Sequence, residues 1–278
     1  MAQASPRAVT GRQPVVAGRF YPGDAETLAR ETAAYLALAA LPSERPTLLA
    51  MAPHAGAVYS GPVAGRTLGA ARLADTLLLL GPNHTGRGAR LAVWPSGDWH
   101  IPGQDVPVDE ALAAALLTAS PRLTPDREAH LGEHSLEVLL PFLRQVRPDC
   151  RIVPVAVAEP DLTVLADAAA AMAGVLARWP EPVSVVVSSD MSHYVSHKTA
   201  TRLDSLALER ALALDPEGLY RVVREAGITM CGVLPMVLGL FTVLALGAKS
   251  ARLAAYATSG EVSGDYEQVV GYAGVLVE

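Results

Sequence analysis

The 278-residue chain carries 22 Lys and Arg against 28 Asp and Glu, a formal net charge of −6, with 51% hydrophobic and only 18% charged residues. That balance can fill a sizeable core and argues against extended disorder. It also lacks the dense basic run that a nucleic-acid groove needs to displace counterions, so no nucleic acid is expected as a partner.

Residues 1–15 read as a flexible tail, since Met1 to Gln13 hold no apolar run of signal-peptide length. Residues 16–278 read as one domain. Thr47 to Ala52 forms a buried strand, followed by a Gly-rich loop and a helix to about Ala71. Thr76 to Leu80 is a second strand, and Leu91 to Trp94 a third. Asp109 to Thr118 is helical, with acidic residues at the positive end of its dipole. Glu133 to Val146 has the spacing of a helix through Leu136, Leu139, Leu140 and Leu143. A strand over Arg151 to Val157, a helix over Leu162 to Ala177 and a strand over Val183 to Val187 follow. Two helices come after His197, the second opened by the cap pair Asp215-Pro216. Leu253 to Thr258 and Val269 to Val277 close the chain as strands. The alternation predicts an α/β fold with a central, largely parallel sheet flanked by helices.

The stretch from Ala226 to Ala248 carries no charged residue, and about 20 apolar residues suffice to cross a bilayer. Pro235, Thr229 and Thr242 interrupt it, so hydropathy alone fits a membrane span and a buried helix equally. The two cysteines, Cys150 and Cys231, are too few for a disulfide framework, which predicts a reducing, cytoplasmic setting.

Three strands end alike: in Pro53-His54-Ala55-Gly56, in Gly81-Pro82-Asn83-His84, and in Ser188-Ser189-Asp190-Met191-Ser192-His193. Open α/β sheets bind ligands beyond the carboxyl ends of their strands. The pattern therefore sends His54, His84, Asp190 and His193 to one edge of the sheet. A single histidine after a strand is more often a surface or capping residue; two after consecutive strands, in matching Pro/Gly contexts, weigh towards a site. Cys231, opening an apolar run, reads on its own as a small buried hydrophobe, as does Cys150. His130-Leu131-Gly132-Glu133-His134 fits H-x-x-E-H, a zinc-hydrolase pattern that needs both histidines on one helical face; Gly132 weakens that helix. His197 reads as a helix-start residue and His100 as a loop residue. Neither a P-loop nor a dinucleotide fingerprint follows any strand.

Seven stretches together resemble the Memo family: Ala17-Gly18-Arg19-Phe20-Tyr21-Pro22, Pro53-His54-Ala55-Gly56, Gly81-Pro82-Asn83-His84, Glu133-His134-Ser135, Ser189-Asp190-Met191-Ser192-His193-Tyr194, Met230-Cys231-Gly232 and Gly264-Asp265-Tyr266. Bacterial members of that family are called protein B of the AmmeMemoRadiSam system. The resemblance implies a fold similar to class III extradiol dioxygenases, and it favours a buried helix, not a membrane span, after Cys231. It further implies metal ligation by His54, His84 and Cys231, with Asp190 and His193 lining the same pocket and His134 reaching it from its helix. The dioxygenases carry a carboxylate where Cys231 stands; a thiolate is softer and favours copper, zinc or an iron centre of altered potential. The implied cofactor is one copper or iron ion, with zinc admissible. The implied activity is that of a redox-active oxidoreductase, in which His193 serves as general acid/base and Asp190 orients its neighbours. Tyr194 is expected to pack. Non-enzymatic copper handling, or capture of a peptide or partner protein in the pocket, is the alternative. The expected partners are a radical-SAM protein and an AMMECR-type protein of the same system.

Overall fold

A computed structural model describes residues 11–278. The strands are β1 (Leu49–Ala52), β2 (Thr76–Pro82), β3 (Leu91–Val93), β4 (Asp98–Ile101), β5 (Gln104–Pro107), β6 (Thr124–Pro125), β7 (Arg151–Val157), β8 (Val183–Ser188), β9 (His193–Val195), β10 (Ala251–Thr258) and β11 (Val269–Val277). The helices are α1 (Ala25–Leu36), α2 (Ala57–Gly69), α3 (Glu110–Ala119), α4 (Glu128–Leu131), α5 (Leu140–Val146), α6 (Leu162–Leu176), α7 (His197–Leu212), α8 (Pro216–Glu225), α9 (Val233–Ala245) and α10 (Gly260–Ser263).

The main sheet runs β10-β11-β1-β8-β2-β7-β3-β6, with β9 attached to β11. Its centre, β1-β8-β2-β7, is parallel. Here the aliphatic runs are buried on both faces, as strands covered on both sides require. Successive residues feed opposite layers: Leu49, Met51, Leu78 and Leu80 join the core under α6 and α9. Ala50, Ala52, Leu77 and Leu79 join the core under α2 and α5.

The sheet is mixed, which corrects the expectation of a largely parallel one. β11 is antiparallel to β1, β9 and β10, and β3 is antiparallel to β7. The link between β10 and β11 is too short for the crossover that parallel neighbours need, so the pair folds back on itself. One of the two must then oppose the parallel centre.

The uncharged stretch after Glu225 splits into a loop and α9, whose Pro235, Met236, Val237, Leu238 and Leu240 are buried against α6, α8 and the parallel strands. Among the described residues no helix is long and apolar enough to cross a membrane.

Two further expectations change. Of the tail expected over residues 1–15, the first ten positions lie outside the described residues, but from Gly11 the chain is held. Arg12 is buried; its guanidinium pairs with Glu137 at 2.7 Å and lies 4.3 Å over the Trp99 ring. Glu137 also accepts from the N–H groups of Val15 and Val16 and from Tyr21 Oη at 2.7 Å. The single helix expected over Glu133 to Val146 is instead a turn through Gly132, a 3-10 turn over Glu137–Leu139 and then α5. The reason is local competition: the Glu133 carboxylate accepts from the N–H groups of His134 and Ser135, an alternative to helical pairing. Pro141, lacking an N–H, is tolerated in the first turn of α5.

Candidate metal centre

β1, β8 and β2 lie side by side and run parallel, so their carboxyl ends open on one edge. Pro53-His54 leaves β1, Asn83-His84 leaves β2, and Asp190 follows β8 between them. Cys231 enters from the loop before α9, and His134 from the turn after α4. The rings of His54, His84 and His134 cluster with centroids 5.0–5.6 Å apart. Together with Phe20, Asp190, His193 and Tyr194 they line a cleft of about 270 Å³.

The hydrogen bonds decide which nitrogen each ring presents. Ser188 Oγ donates its only proton to Ser135 O at 2.6 Å. It can therefore only accept from His54 Nδ1, 2.7 Å away, which places the proton on Nδ1 and leaves the Nε2 lone pair free. That Nε2 lies 3.5 Å from Cys231 Sγ. His84 Nδ1 likewise sits 2.9 Å from Glu133 Oε1, and a carboxylate can only accept, so Nε2 is the nitrogen left over. His193 Nδ1 donates to Thr229 O at 2.9 Å, and its N–H to Thr229 Oγ1 at 2.7 Å, again freeing Nε2. Outer partners that orient imidazoles in this way are what metal-binding histidines require.

The donor set fits a metal ion. One donor atom from each of His54, His84 and Cys231 lies within 4.8 Å of the others, and His54 and Cys231 already have the separation of roughly 3.3–3.7 Å that donors adopt around a tetrahedral ion. His54 is buried; burial first, then the neighbouring His84 and His134, hold its pKa well below 6.5, so it presents a neutral imidazole. Burial, and then Asp190, push the Cys231 thiol up, so a thiolate there needs a cation beside it. Asp190 ties the pair together. Its Oδ1 accepts from His54 N at 2.8 Å, and its own N–H points at Cys231 Sγ, 3.3 Å away.

His84, Glu133 and His134 form a second group with metal-ligand spacing. Glu133 Oε1 accepts from His84 Nδ1, His134 N and Ser135 N, and Oε2 accepts from His84 N. Four N–H groups thus engage this carboxylate, three of them on Oε1, and commit it to holding the turn and the His84 ring in place. Burial would raise this carboxyl, but those bonds, the one from His84 Nδ1 foremost, outweigh it and bring it down to about 2. Glu133 is thus a brace for His84.

The H-x-x-E-H geometry is absent. α4 stops at Leu131, and His130 is buried among Trp94 and Trp99 with Nε2 3.0 Å from Ala92 O. Only His134 of the two histidines reaches the cleft, and it does so from a turn, not the helix expected. His100 bonds Asp105 at 2.6 Å across the β4–β5 hairpin, and His197 bonds Thr258 at the start of α7. Cys150 is buried, its thiol raised to about 11 by burial, consistent with its reading as a small buried hydrophobe. Tyr194 does not pack; it is 75% exposed at the mouth of the cleft.

Sequence reasoning missed Ser188, Thr229 and Phe20. Ser188 opens the third strand-end motif and Phe20 lies within a quoted stretch, both without a role assigned, and Thr229 was visible only as an interruption of the apolar run. Phe20 meets His134 edge-on at 4.9 Å.

The model of the Memo-like protein family matches residues 12–276. The chain belongs to the Memo family. It is 39% identical to a MEMO1 family protein of Methanopyrus kandleri, over 95% of this chain and 98% of that one. A MEMO1 family protein of Aquifex aeolicus is 38% identical, again covering 95% and 98%. Among solved structures, an uncharacterized Escherichia coli K12 protein superposes with a TM-score of 0.52 at 13% identity, covering 81% of this chain and 98% of that one; that likeness concerns the fold alone. In this Memo-family chain the matched span begins at Arg12, the residue that anchors the N-terminal segment carrying Phe20 to the turn carrying Glu133 and His134.

Proposed function

We propose that this Memo-family chain binds one transition-metal ion, copper or iron, through His54 Nε2, His84 Nε2 and Cys231 Sγ, and uses it in redox chemistry on a small organic ligand. The observation that carries the reading is the pair of fixed tautomers: Ser188 and Glu133 each engage a histidine Nδ1, leaving an Nε2 lone pair on both rings beside one sulfur. Two imidazoles and a thiolate suit Cu(I), or iron at a shifted potential, and leave a coordination position for a ligand. A bound ion of this kind supplies one-electron chemistry. His193, its Nδ1 held by Thr229, has Nε2 free to take or give a proton at the ligand. Asp190, engaged by the His54 N–H, positions the two ligand-bearing loops. A likeness to class III extradiol dioxygenases belongs to the same proposal, with the thiolate in place of their carboxylate arguing against ordinary ring cleavage.

The test is metal content of untagged protein purified without chelators, followed by anaerobic titration with Cu(I) and Fe(II). One equivalent in the parent, lost in His54→Ala and in Cys231→Ser, supports the site. Equal uptake by the parent and both variants rejects it.

A further inference from the structure

β9 pairs with β11 through His193↔Val270 and Val195↔Val269. Two steps along β9 thus match one step along β11, and Tyr194 is the extra residue of a β-bulge. Its φ of 56° lies in the left-handed region, a conformation that bulges ordinarily give to glycine and that a bulky side chain adopts only under constraint. The other non-glycine residue there, Leu214, follows Ala213, the C-cap of α7, where a helix commonly terminates in that conformation. Tyr194 has no such explanation. It is held on its N-terminal side by the two bonds from His193 to Thr229 and on both sides by the pairing with β11.

A bulge beside a site re-aims a side chain, and here the aim is outward. The ring is 75% exposed, so internal packing does not account for it. It borders the metal cleft and also a second cleft of about 350 Å³, which shares Ala55, Tyr194 and Val270 with the first and continues to Tyr59, Tyr272 and Asp265. The metal cleft alone, about 270 Å³, falls just short of the range typical of organic-ligand sites; with its neighbour it accommodates a longer molecule.

We propose that Tyr194 is the ligand-recognition residue of this site, stacking on a planar group of an organic ligand whose chelating end sits at the metal and whose tail enters the second cleft. This rests on the metal-site reading above. Aromatic faces favour offset stacking beyond simple area burial, and a strained, exposed ring at the junction of two clefts is placed to supply it.

The experiment uses Zn(II)-loaded protein, redox-silent, titrated with catechol and with 4-phenylcatechol as short and extended chelating probes. The variants are Tyr194→Gly, which suits the backbone, and Tyr194→Phe, which keeps the ring. Parent and Tyr194→Phe are expected to bind 4-phenylcatechol about three- to tenfold more tightly than Tyr194→Gly, with zinc and catechol affinities equal in all three. The proposal is overturned if Tyr194→Gly binds 4-phenylcatechol as the parent does, or if it loses zinc and catechol along with it. Failure of the parent to bind zinc, copper or iron at all would instead bring down the metal-site reading, and this inference with it.

Discussion

Replacing Glu133 with Gln tests whether the metal centre depends on its brace. Glu133 accepts four N–H groups, three on one oxygen and the His84 N–H on the other. A glutamine amide offers one oxygen, so in either orientation its NH2 faces a donor. At least one buried N–H then loses its acceptor, which costs about 1–3 kcal/mol. The charge that fixes His84 as the Nδ1–H tautomer is lost as well. Loss of such an outer partner typically weakens metal affinity roughly ten- to a hundredfold. The assay is a competition titration of Cu(I) against a chromophoric chelator, on protein shown by circular dichroism to be folded, with the urea midpoint measured in parallel. A Glu133→Gln protein that is folded and binds Cu(I) as tightly as the parent would refute the argument that tautomer control builds this site.

Ser188→Ala should abolish the Nδ1–H preference of His54, visible in long-range 1H–15N spectra, and weaken metal binding by roughly tenfold; an unchanged spectrum would show that Ser188 does not set the tautomer. His130 supplies a pH prediction. Burial lowers its pKa from 6.5 to about 4, so the unfolded state takes up its proton first and stability falls as pH drops from about 6.5 towards 4. The loss is about 2 kcal/mol at pH 5 relative to pH 8, and His130→Phe should flatten that part of the urea-stability profile. Arg12→Met strands the buried Glu137 carboxylate and should cost about 3–5 kcal/mol of unfolding free energy. Adding Glu137→Leu should recover only part of it, since it removes the stranded charge together with the acceptor of Val15 N, Val16 N and Tyr21 Oη; a double variant no more stable than Arg12→Met would show that the stranded charge is not what the single variant costs.

Much of the fold and of the candidate site was legible along the chain because both rest on local signals. Short unbroken aliphatic runs such as Leu77 to Leu80, closed by turn residues, read as strands buried on both faces, and Pro/Gly turns directly after them put His54 and His84 at strand ends whatever the strand order. The cap pairs Asp109-Glu110 and Asp215-Pro216 marked helix starts for equally local reasons. Asp24, which accepts from Thr27 N at the start of α1, was a signal of the same kind left unread.

Whatever depends on contacts distant in sequence was decided only by the tertiary structure. That β1, β8 and β2 are neighbours, and that β11 runs against β1, follows from which strands share a core, not from the composition of any one of them. Glu133 reads as part of a helix until the His84 backbone, 49 residues earlier, claims its carboxylate. Arg12 reads as tail until Glu137, 125 residues on, gives its charge a buried partner. Cys231, a small hydrophobe by its neighbours, becomes a candidate ligand because folding brings its sulfur to a histidine 177 residues away. Burial and pairing are properties of the assembled core, and a side chain's chemistry changes with the neighbours that core supplies.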